Sequence, residues 1–344
     1  MSVEVELLDI RKARSVDRFV LDHPNGTPFH ETRWTELVRA TFGFATQTLV
    51  AWRGREVVGV LPLAMVTAPI TGRRLVSVPF GVYGGILATN EDVTPILDDA
   101  AKRLAQSSGA RFLELRYLGE GPTDHHGVHK HETYRRELPA DPEECLGLLP
   151  RKARAEARKG RDRHGLRLEG GESWFGAFYD LYVTNKRSLG SPVFAAAYFH
   201  RMIDLFGGRA MLHGVMHEGR LIAAVLSLQD RGVLYPYYSG AEAGIDRMGA
   251  NNFMYAMLME EAVRRGCQGF DFGRSRSNSG PAAFKRHMGF TATPLDYQYY
   301  FPRGGRPPSL NPGNPKMQLP RHLISAMPLW LGRLVGPSIM RHVP

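Results

Sequence analysis

Cysteine is scarce in this sequence: Cys145 and Cys267 are the only two in 344 residues. A disulfide framework and a multi-thiolate zinc site are thereby excluded. No apolar run approaches the ~20 residues that a membrane-spanning helix needs. The opening stretch, Met1 to Glu6, carries acid where an export signal carries base. A cytoplasmic protein is therefore expected, with peripheral contact at the inner face of a membrane as the alternative. Several catalytic signatures are also missing: there is no Walker loop, no G-x-S-x-G nucleophile elbow and no H-E-x-x-H helix. What is present is an ordinary globular composition, 43% hydrophobic and 23% charged, over a length that suits about two domains. Lys and Arg number 44 against 34 Asp and Glu, a formal charge of +10. That excess suits nucleotide phosphates, RNA or an acidic lipid surface, or it is a solvated basic surface with no specific partner. DNA is not an expected partner.

The pattern of elements repeats once. Residues 29–41 predict a helix with Trp34, Leu37 and Val38 on one side. Strands are expected around 49–52 and 57–65, joined by the turn Arg53-Gly54-Arg55-Glu56. A strand at 74–79, a Gly-bearing loop at 80–85, a helix at 93–105 and a strand at 112–116 follow. The second half replays this order. Helices are predicted at 151–163, 175–187 and 195–205, strands at 210–217, 221–229 and 232–239, a helix at 253–265 and a strand at 269–273. The reading is α+β: two similar units with mostly antiparallel sheets flanked by helices. Their expected extents are 1–145 and 146–301, with a Pro-rich basic tail over 302–344. Prolines in that tail favour extended chain. The apolar stretch 323–335 is read either as packing onto the second domain or as an interfacial helix on a membrane.

Three clusters of side chains invite chemistry. At helical spacing Arg151, Arg154 and Arg158 share a face, and like charges so placed repel unless an anion sits against them. The alternative is a solvated face partly neutralised by Glu156 and Asp162. The strand Phe270-Asp271-Phe272-Gly273 delivers Arg274 and Ser275 to a sheet edge, and a short helix then presents Phe284 and Lys285. Inside a cleft, a lysine ammonium stabilises the oxyanion of an acyl-transfer intermediate. The alternative is a surface lysine paired with Asp271. His125, His126, His129 and His131 have the look of a metal cluster, but Gly127 and the neighbouring Gly121-Pro122-Thr123-Asp124 predict a solvent-exposed loop, and no metal site is assigned. Tyr83 and Tyr238 each sit where a strand opens into a Gly-bearing loop.

In order along the chain, several stretches together resemble the FemAB-type branch of the GNAT-fold transferases. They are Phe29-His30-Glu31-Thr32-Arg33-Trp34, Val82-Tyr83-Gly84-Gly85, Leu113-Glu114-Leu115-Arg116, Arg151-Lys152-Ala153-Arg154 with Arg158, and Arg187-Ser188-Leu189-Gly190-Ser191-Pro192. Phe272-Gly273-Arg274-Ser275, Phe284-Lys285 before Gly289-Phe290, and Asn311-Pro312-Gly313-Asn314-Pro315-Lys316 complete the match. Within that branch the chain looks most like FemAB-related proteins associated with PEP-CTERM/exosortase and exopolysaccharide systems. The resemblance implies tandem GNAT-like (acyl-CoA N-acyltransferase-like) domains and transfer of an activated aminoacyl or acyl group to an amine. The co-substrate would be aminoacyl-tRNA or acyl-CoA with no tightly bound cofactor, and the acceptor an anionic envelope or polysaccharide precursor. It implies Lys285 as the oxyanion or donor-end stabiliser, with Phe284 packed against the donor. Arg154, Arg158 and Arg187 would hold anionic groups, and Tyr83, Arg116, Tyr238, Asp271 and Arg274 would line the cleft. Asp271 would orient the attacking amine or pair with Lys285. One departure stands out. Acetyl-CoA-using relatives carry Arg/Gln-x-x-Gly-x-Gly/Ala ahead of a helix, and Arg247-Met248-Gly249-Ala250-Asn251-Asn252 does not keep that spacing. The rival readings are an acyl-CoA-dependent enzyme acting on an amino sugar and a non-catalytic assembly factor bound at the membrane surface.

Overall fold

The structure, a computed structural model, describes residues 2–69, 71–307 and 315–342, with the backbone alone for 315–320. The chain forms two compact units: Met1–Glu132 with Thr293–Leu310 and Met340–Pro344, and Thr133–Ala292 with Asn311–Ile339.

Unit 1 begins with β1 (Val3–Leu7), α1 (Ala13–Asp22) and α2 (Thr32–Phe42). The hairpin β2 (Ala45–Arg53) and β3 (Glu56–Ala68) follows, then β4 (Gly72–Ser77), the short β5 (Leu87–Ala88), α3 (Val93–Ser107) and β6 (Phe112–Leu118). Arg53 pairs with Glu56 across the tight turn read from the sequence. β3 is buried along nearly its whole length, as suits a central strand covered on both faces. β4 and β6 run parallel, which requires the crossover that α3 supplies. α3 packs Val93, Leu97 and Ala101 on Leu49, Leu61 and Leu113, closing this core.

The next strand, β7 (His126–Glu137), leads into α4 (Arg151–His164), β8 (Arg167–Gly170), α5 (Phe175–Ser188) and α6 (Ala196–Phe206). Unit 2 continues with β9 (Ala210–His217), β10 (Arg220–Asp230), β11 (Val233–Ala241), α7 (Ala250–Arg264), β12 (Gly269–Asp271), β13 (Ser275–Arg276) and α8 (Gly280–His287). Its pairing repeats that of unit 1: β8 to β11 are antiparallel in sequence, and β12 returns parallel to β11 after α7. The final strand, β14 (Thr291–Tyr300), pairs with β6 in unit 1, while the end of β7 pairs with β12 in unit 2. These last strands explain why the units cut the chain differently from the expected 1–145 and 146–301. Each unit takes strand residues from the other half of the sequence.

The tail differs from the extended chain expected of it. Pro308 and Pro312, with Asn311, Gly313 and Asn314 of the matched stretch, lie outside the described residues. Pro315 opens α9 (Pro315–Ala326) at a first-turn position where a missing N–H does no harm, and α10 (Leu329–Met340) follows. Pro328 separates the two. The His-rich loop expected at 125–131 is likewise a strand from His126 onward. His125 is drawn against Asp98 at 2.7 Å, and His129 lies 3.5 Å from Asp296. Among the described residues no cluster of three or more His, Cys, Asp or Glu could hold a metal, and both cysteines are free and buried. Nor is any described helix long and apolar enough to cross a membrane.

Highly charged α4 is held down by a stripe of small residues. Ala153, Ala157 and Gly160 are buried, and a side chain at Gly160 would stand 3.0 Å from Phe253 Cβ of α7. The loop before α7 tightens in the same place: Gly249 has φ +70°, and a Cβ there would lie 2.2 Å from the Glu156 carbonyl oxygen. Gly249→Ala therefore combines backbone strain with a backbone clash. It is expected to destabilise unit 2 by about 2–4 kcal/mol, read as a drop in urea midpoint.

Candidate active site

The residues expected to react converge around Gly273. Phe270 and Phe272 alternate into the unit 2 core, where the Phe272 ring meets Phe290 at 4.5 Å and Tyr255 at 4.5 Å. Asp271, between them, is fully buried, and its register partner on β7 is Arg135. Its Oδ1 accepts from Thr133 Oγ1 and from the Gly273 N–H, both at 2.7 Å, and Arg135 Nε lies 3.7 Å from Oδ2. Gly273 turns the chain at φ +74° with the Tyr237 ring where a side chain would be, so glycine is required.

Beyond the turn, Ser279 caps α8 by accepting from the Ala282 N–H. The helix ends at Gly289, φ +81°, where the Phe290 N–H bonds back to the Lys285 carbonyl. This short helix points Ala282 and Lys285 inward. Lys285 is 8% exposed, and its Nζ donates to the Gly273 carbonyl at 2.7 Å. Nζ also lies 5.5 Å from the Tyr134 ring and 5.7 Å from the Phe272 ring, so two aromatic faces flank the ammonium. Burial pushes its pKa down to about 7, Asp271 pulls it back up, and Lys186 of α5 depresses it further. One glycine thus links the two candidates, its N–H held by Asp271 and its carbonyl by Lys285. Phe284 is half-buried, 5.9 Å from Tyr255 and 6.4 Å from Phe272. Arg274 is exposed, while the Ser275 hydroxyl is buried without a partner among the described residues, a group free to bond a ligand.

The remaining expected residues have surroundings of their own. Arg158 is exposed and Arg154 half-buried on α4. Arg187 lines a small gap between α5 and the tail helices, with Val193, Met327 and Gly336. Tyr238 is buried, its hydroxyl 2.8 Å from that of Tyr198 amid the rings of Phe194 and Phe199, and burial raises its pKa. In unit 1, Tyr83 packs edge-on to Phe29. Arg116 is buried against Glu114 at 2.8 Å and donates to the Gly81 carbonyl at 3.0 Å, with Tyr297 facing its guanidinium. Sequence reasoning missed Lys186, Thr133 and Tyr134. Lys186 is half-buried, its Nζ 5.5 Å from the Tyr182 ring, and burial lowers its pKa. The one signal for it was its place beside Arg187 at the end of an otherwise apolar helix.

At the mouth of α7, the place where a pyrophosphate would meet helix N–H groups, the structure puts acid. Glu156 Oε2 lies 3.2 Å from the Cβ position of Gly249, and Asp246 holds Asn251 at 2.8 Å. A CoA pyrophosphate fits this end poorly, because a carboxylate already faces the partial positive charge of the helix.

The electrostatics of Lys285 can be titrated directly. Asp271→Asn removes the carboxylate that favours the ammonium and should carry the Lys285 pKa below about 7. Lys186→Met removes a repelling cation and should raise it. The Cε chemical shift of Lys285 against pH reads both, and equal values in the two variants would contradict this arrangement.

Residues 150–286 match the family described as the acetyltransferase (GNAT) domain, and the match ends one residue past Lys285. No curated protein sequence matches the chain. The fold is similar to a crystal structure of FemX, with TM-score 0.66 and 17% identity over 85% of this chain and 97% of that one. A tandem GNAT protein from the clavulanic acid biosynthesis pathway is similar at TM-score 0.57 and 13% identity, over 89% and 100% of the two chains. So is L-PGS from Bacillus licheniformis, at TM-score 0.57 and 14% identity, over 93% and 98%. The chain has a tandem GNAT-like fold, and its second unit carries an acyltransferase domain of the acetyltransferase (GNAT) type.

Proposed function

We propose that the protein forms an amide by N-acyl transfer, moving an aminoacyl or acyl group onto an amine of an anionic cell-envelope or exopolysaccharide-related acceptor. The observation that carries this reading is Lys285, an ammonium enclosed by Tyr134 and Phe272 and held on the Gly273 carbonyl within the acyltransferase domain. The acceptor nitrogen attacks the donor carbonyl carbon and a C–N bond forms. The carbonyl oxygen becomes an oxyanion, and the leaving oxygen or sulfur departs as the carbonyl is restored, taking up the proton that the nitrogen gives up. An α-amine in water has a pKa near ~8, so about a tenth of it is free nucleophile at pH 7. The donor is already activated. The protein then has to position two reactants and stabilise the oxyanion, which a charged Lys285 does in a dry, aromatic niche. Asp271 and Thr133 hold the turn that aims it.

Glu156 beside Gly249 supports a donor whose phosphates do not sit on α7, and the arginines of α4 supply a basic face for one that brings its own polyanion. Aminoacyl-tRNA is therefore favoured over acyl-CoA. The likeness to FemAB-related proteins of PEP-CTERM and exosortase systems favours an exopolysaccharide-linked acceptor. That acceptor in turn suits a protein of the cytoplasm, at the inner membrane face.

Transfer from labelled aminoacyl-tRNA and acyl-CoA, assayed side by side, separates the donors, with transfer expected from the first. Lys285→Ala should lower turnover by roughly 10²–10³-fold, the loss typical of one oxyanion donor. Lys285 is charged below about 7, whereas the nucleophile must be uncharged. The pH profile of kcat/KM is thus expected to peak between the two pKa values and fall on the alkaline side. In Lys285→Arg, a cation that cannot deprotonate should remove that fall. A rate that climbs steadily across neutral and alkaline pH in the parent enzyme would overturn the charged role.

A further inference from the structure

Between the β8–β9 edge of the unit 2 sheet and the second half of α7 lies a cleft of about 670 Å³. Three residues that line it, Gly170, Gly171 and Gly208, have no side chain to fill it. Gly170 pairs in register with His213 of β9, and a Cβ there would stand 3.3 Å from the imidazole. His213 lines the cleft at 5% exposure, and its Nδ1 is buried without a hydrogen-bond partner among the described residues. An atom so placed is costly to leave unpaired, and a ligand donor in the cleft would satisfy it. From α7, Met257, Glu260, Glu261 and Arg264 line the cleft at the spacing of a single helix face. Leu168 and Met211 add apolar lining. The place is separate from the site described above. Gly273, which holds Lys285, follows β12, three strands from β9 and so about 14 Å across the sheet.

The order of charges in the cleft selects its ligand. Glu260 and Glu261 are 14% and 29% exposed, whereas their partners Arg264, at 3.0 Å, and Arg265, at 2.8 Å, are 52% and 41% exposed. The carboxylates are thus the more deeply set of each pair, and each keeps lone pairs for a further donor. Burial presses the His213 pKa below the ordinary imidazole value, Glu261 pulls it up, and Arg265 presses it down again. The ring is therefore uncharged at neutral pH and offers an acceptor in place of a competing cation. An entering anion would meet the two carboxylates. A metal ion is not suited either, since no group of three His, Cys, Asp or Glu among the described residues could hold one. We infer that the cleft binds a free amino acid or short peptide with an apolar side chain, its ammonium on Glu261 and His213 and its carboxylate turned out to the arginines. The side chain then packs on Leu168, Met211 and Met257. The volume matches a small ligand of this kind. This is a second binding site of unit 2, and it stands independently of the role given to Lys285.

The test is calorimetric titration of the full chain with L-leucine, L-leucyl-L-leucine and N-acetyl-L-leucine. Heat of binding is expected from leucine, from the dipeptide or from both, which tells a free amino acid from a peptide end as the source. N-acetyl-leucine has no ammonium and should bind at least about tenfold more weakly. Glu261→Gln, on the helix surface, and His213→Phe, which keeps a ring in place, should each weaken binding by about tenfold or more. Thermal melts of the free variants check that both still fold. In the parent chain labelled with nitrogen-15 histidine, the ligand should move the His213 Nδ1 resonance, because that atom gains a partner. Lys285→Ala should bind as the parent does, so a failure of this site and a failure of the catalytic reading are told apart. No heat from either leucine or the dipeptide, equal binding of N-acetyl-leucine, unchanged binding in Glu261→Gln, or an unmoved His213 resonance would each overturn the proposal.

Discussion

An ammonium buried among rings is the constraint around which this end of unit 2 is arranged. Taking a lysine out of water disfavours its charge, and a fully enclosed one loses its proton. Three partners limit that loss at Lys285: the Gly273 carbonyl, the faces of Tyr134 and Phe272, and the field of Asp271. Each imposes a demand elsewhere. The carbonyl is available because Gly273 takes a positive φ, and Asp271 can be buried because Thr133 and a backbone N–H satisfy it. Remove the left-handed turn and both the carboxylate and the lysine lose their common partner.

How much of this was legible in the sequence follows from which contacts are local. The hairpin at 53–56, basic α4 and the strand-to-glycine step at 270–273 are short-range patterns, and they read correctly. The nonlocal contacts did not read. Thr133 and Tyr134 reach the site through pairing of β7 with β12, across more than a hundred residues of chain, and no periodicity announces such a partner. The His-rich stretch failed for the same reason. Its glycine and polar side chains predict a loop, but strand identity is settled by the neighbouring strand. Lys186 was silent because a cation near a helix C-terminus ordinarily answers the helix dipole. In the tail, prolines argued against helix; Pro315 in the first turn and Pro328 between α9 and α10 are tolerated positions, whereas Pro320 stands within α9 and Pro337 within α10.

Helix α4 shows how one segment serves packing and electrostatics together. Its small residues let it approach α7 closely enough to bring Glu156 over the loop that precedes that helix. The consequence is chemical as well as structural, since the positive end of α7 then faces a carboxylate of the same chain. The arginines project from the other sides of α4 and keep the helix basic. The positive charge of this segment thus lies along the helix face.

The two units make the point sharper, because each buries a cation among aromatic rings. In unit 1 it is Arg116, whose guanidinium has Glu114, the Gly81 carbonyl and Tyr297 around it. Burial is the largest influence and works against its charge, yet Glu114, Tyr297 and Tyr299 together outweigh it and the pKa rises. A guanidinium so matched is fixed in one state and serves as a brace for the loop at 78–81. In unit 2 the cation is a lysine, its carboxylate neighbour is already satisfied by Thr133 and Gly273, and a second lysine opposes it. The balance then falls at about 7, so this cation is held less firmly than the guanidinium of unit 1. The same architecture thus yields a brace in one half and an ammonium that titrates near neutrality in the other, and the difference lies in whether the carboxylate is left free to answer the cation.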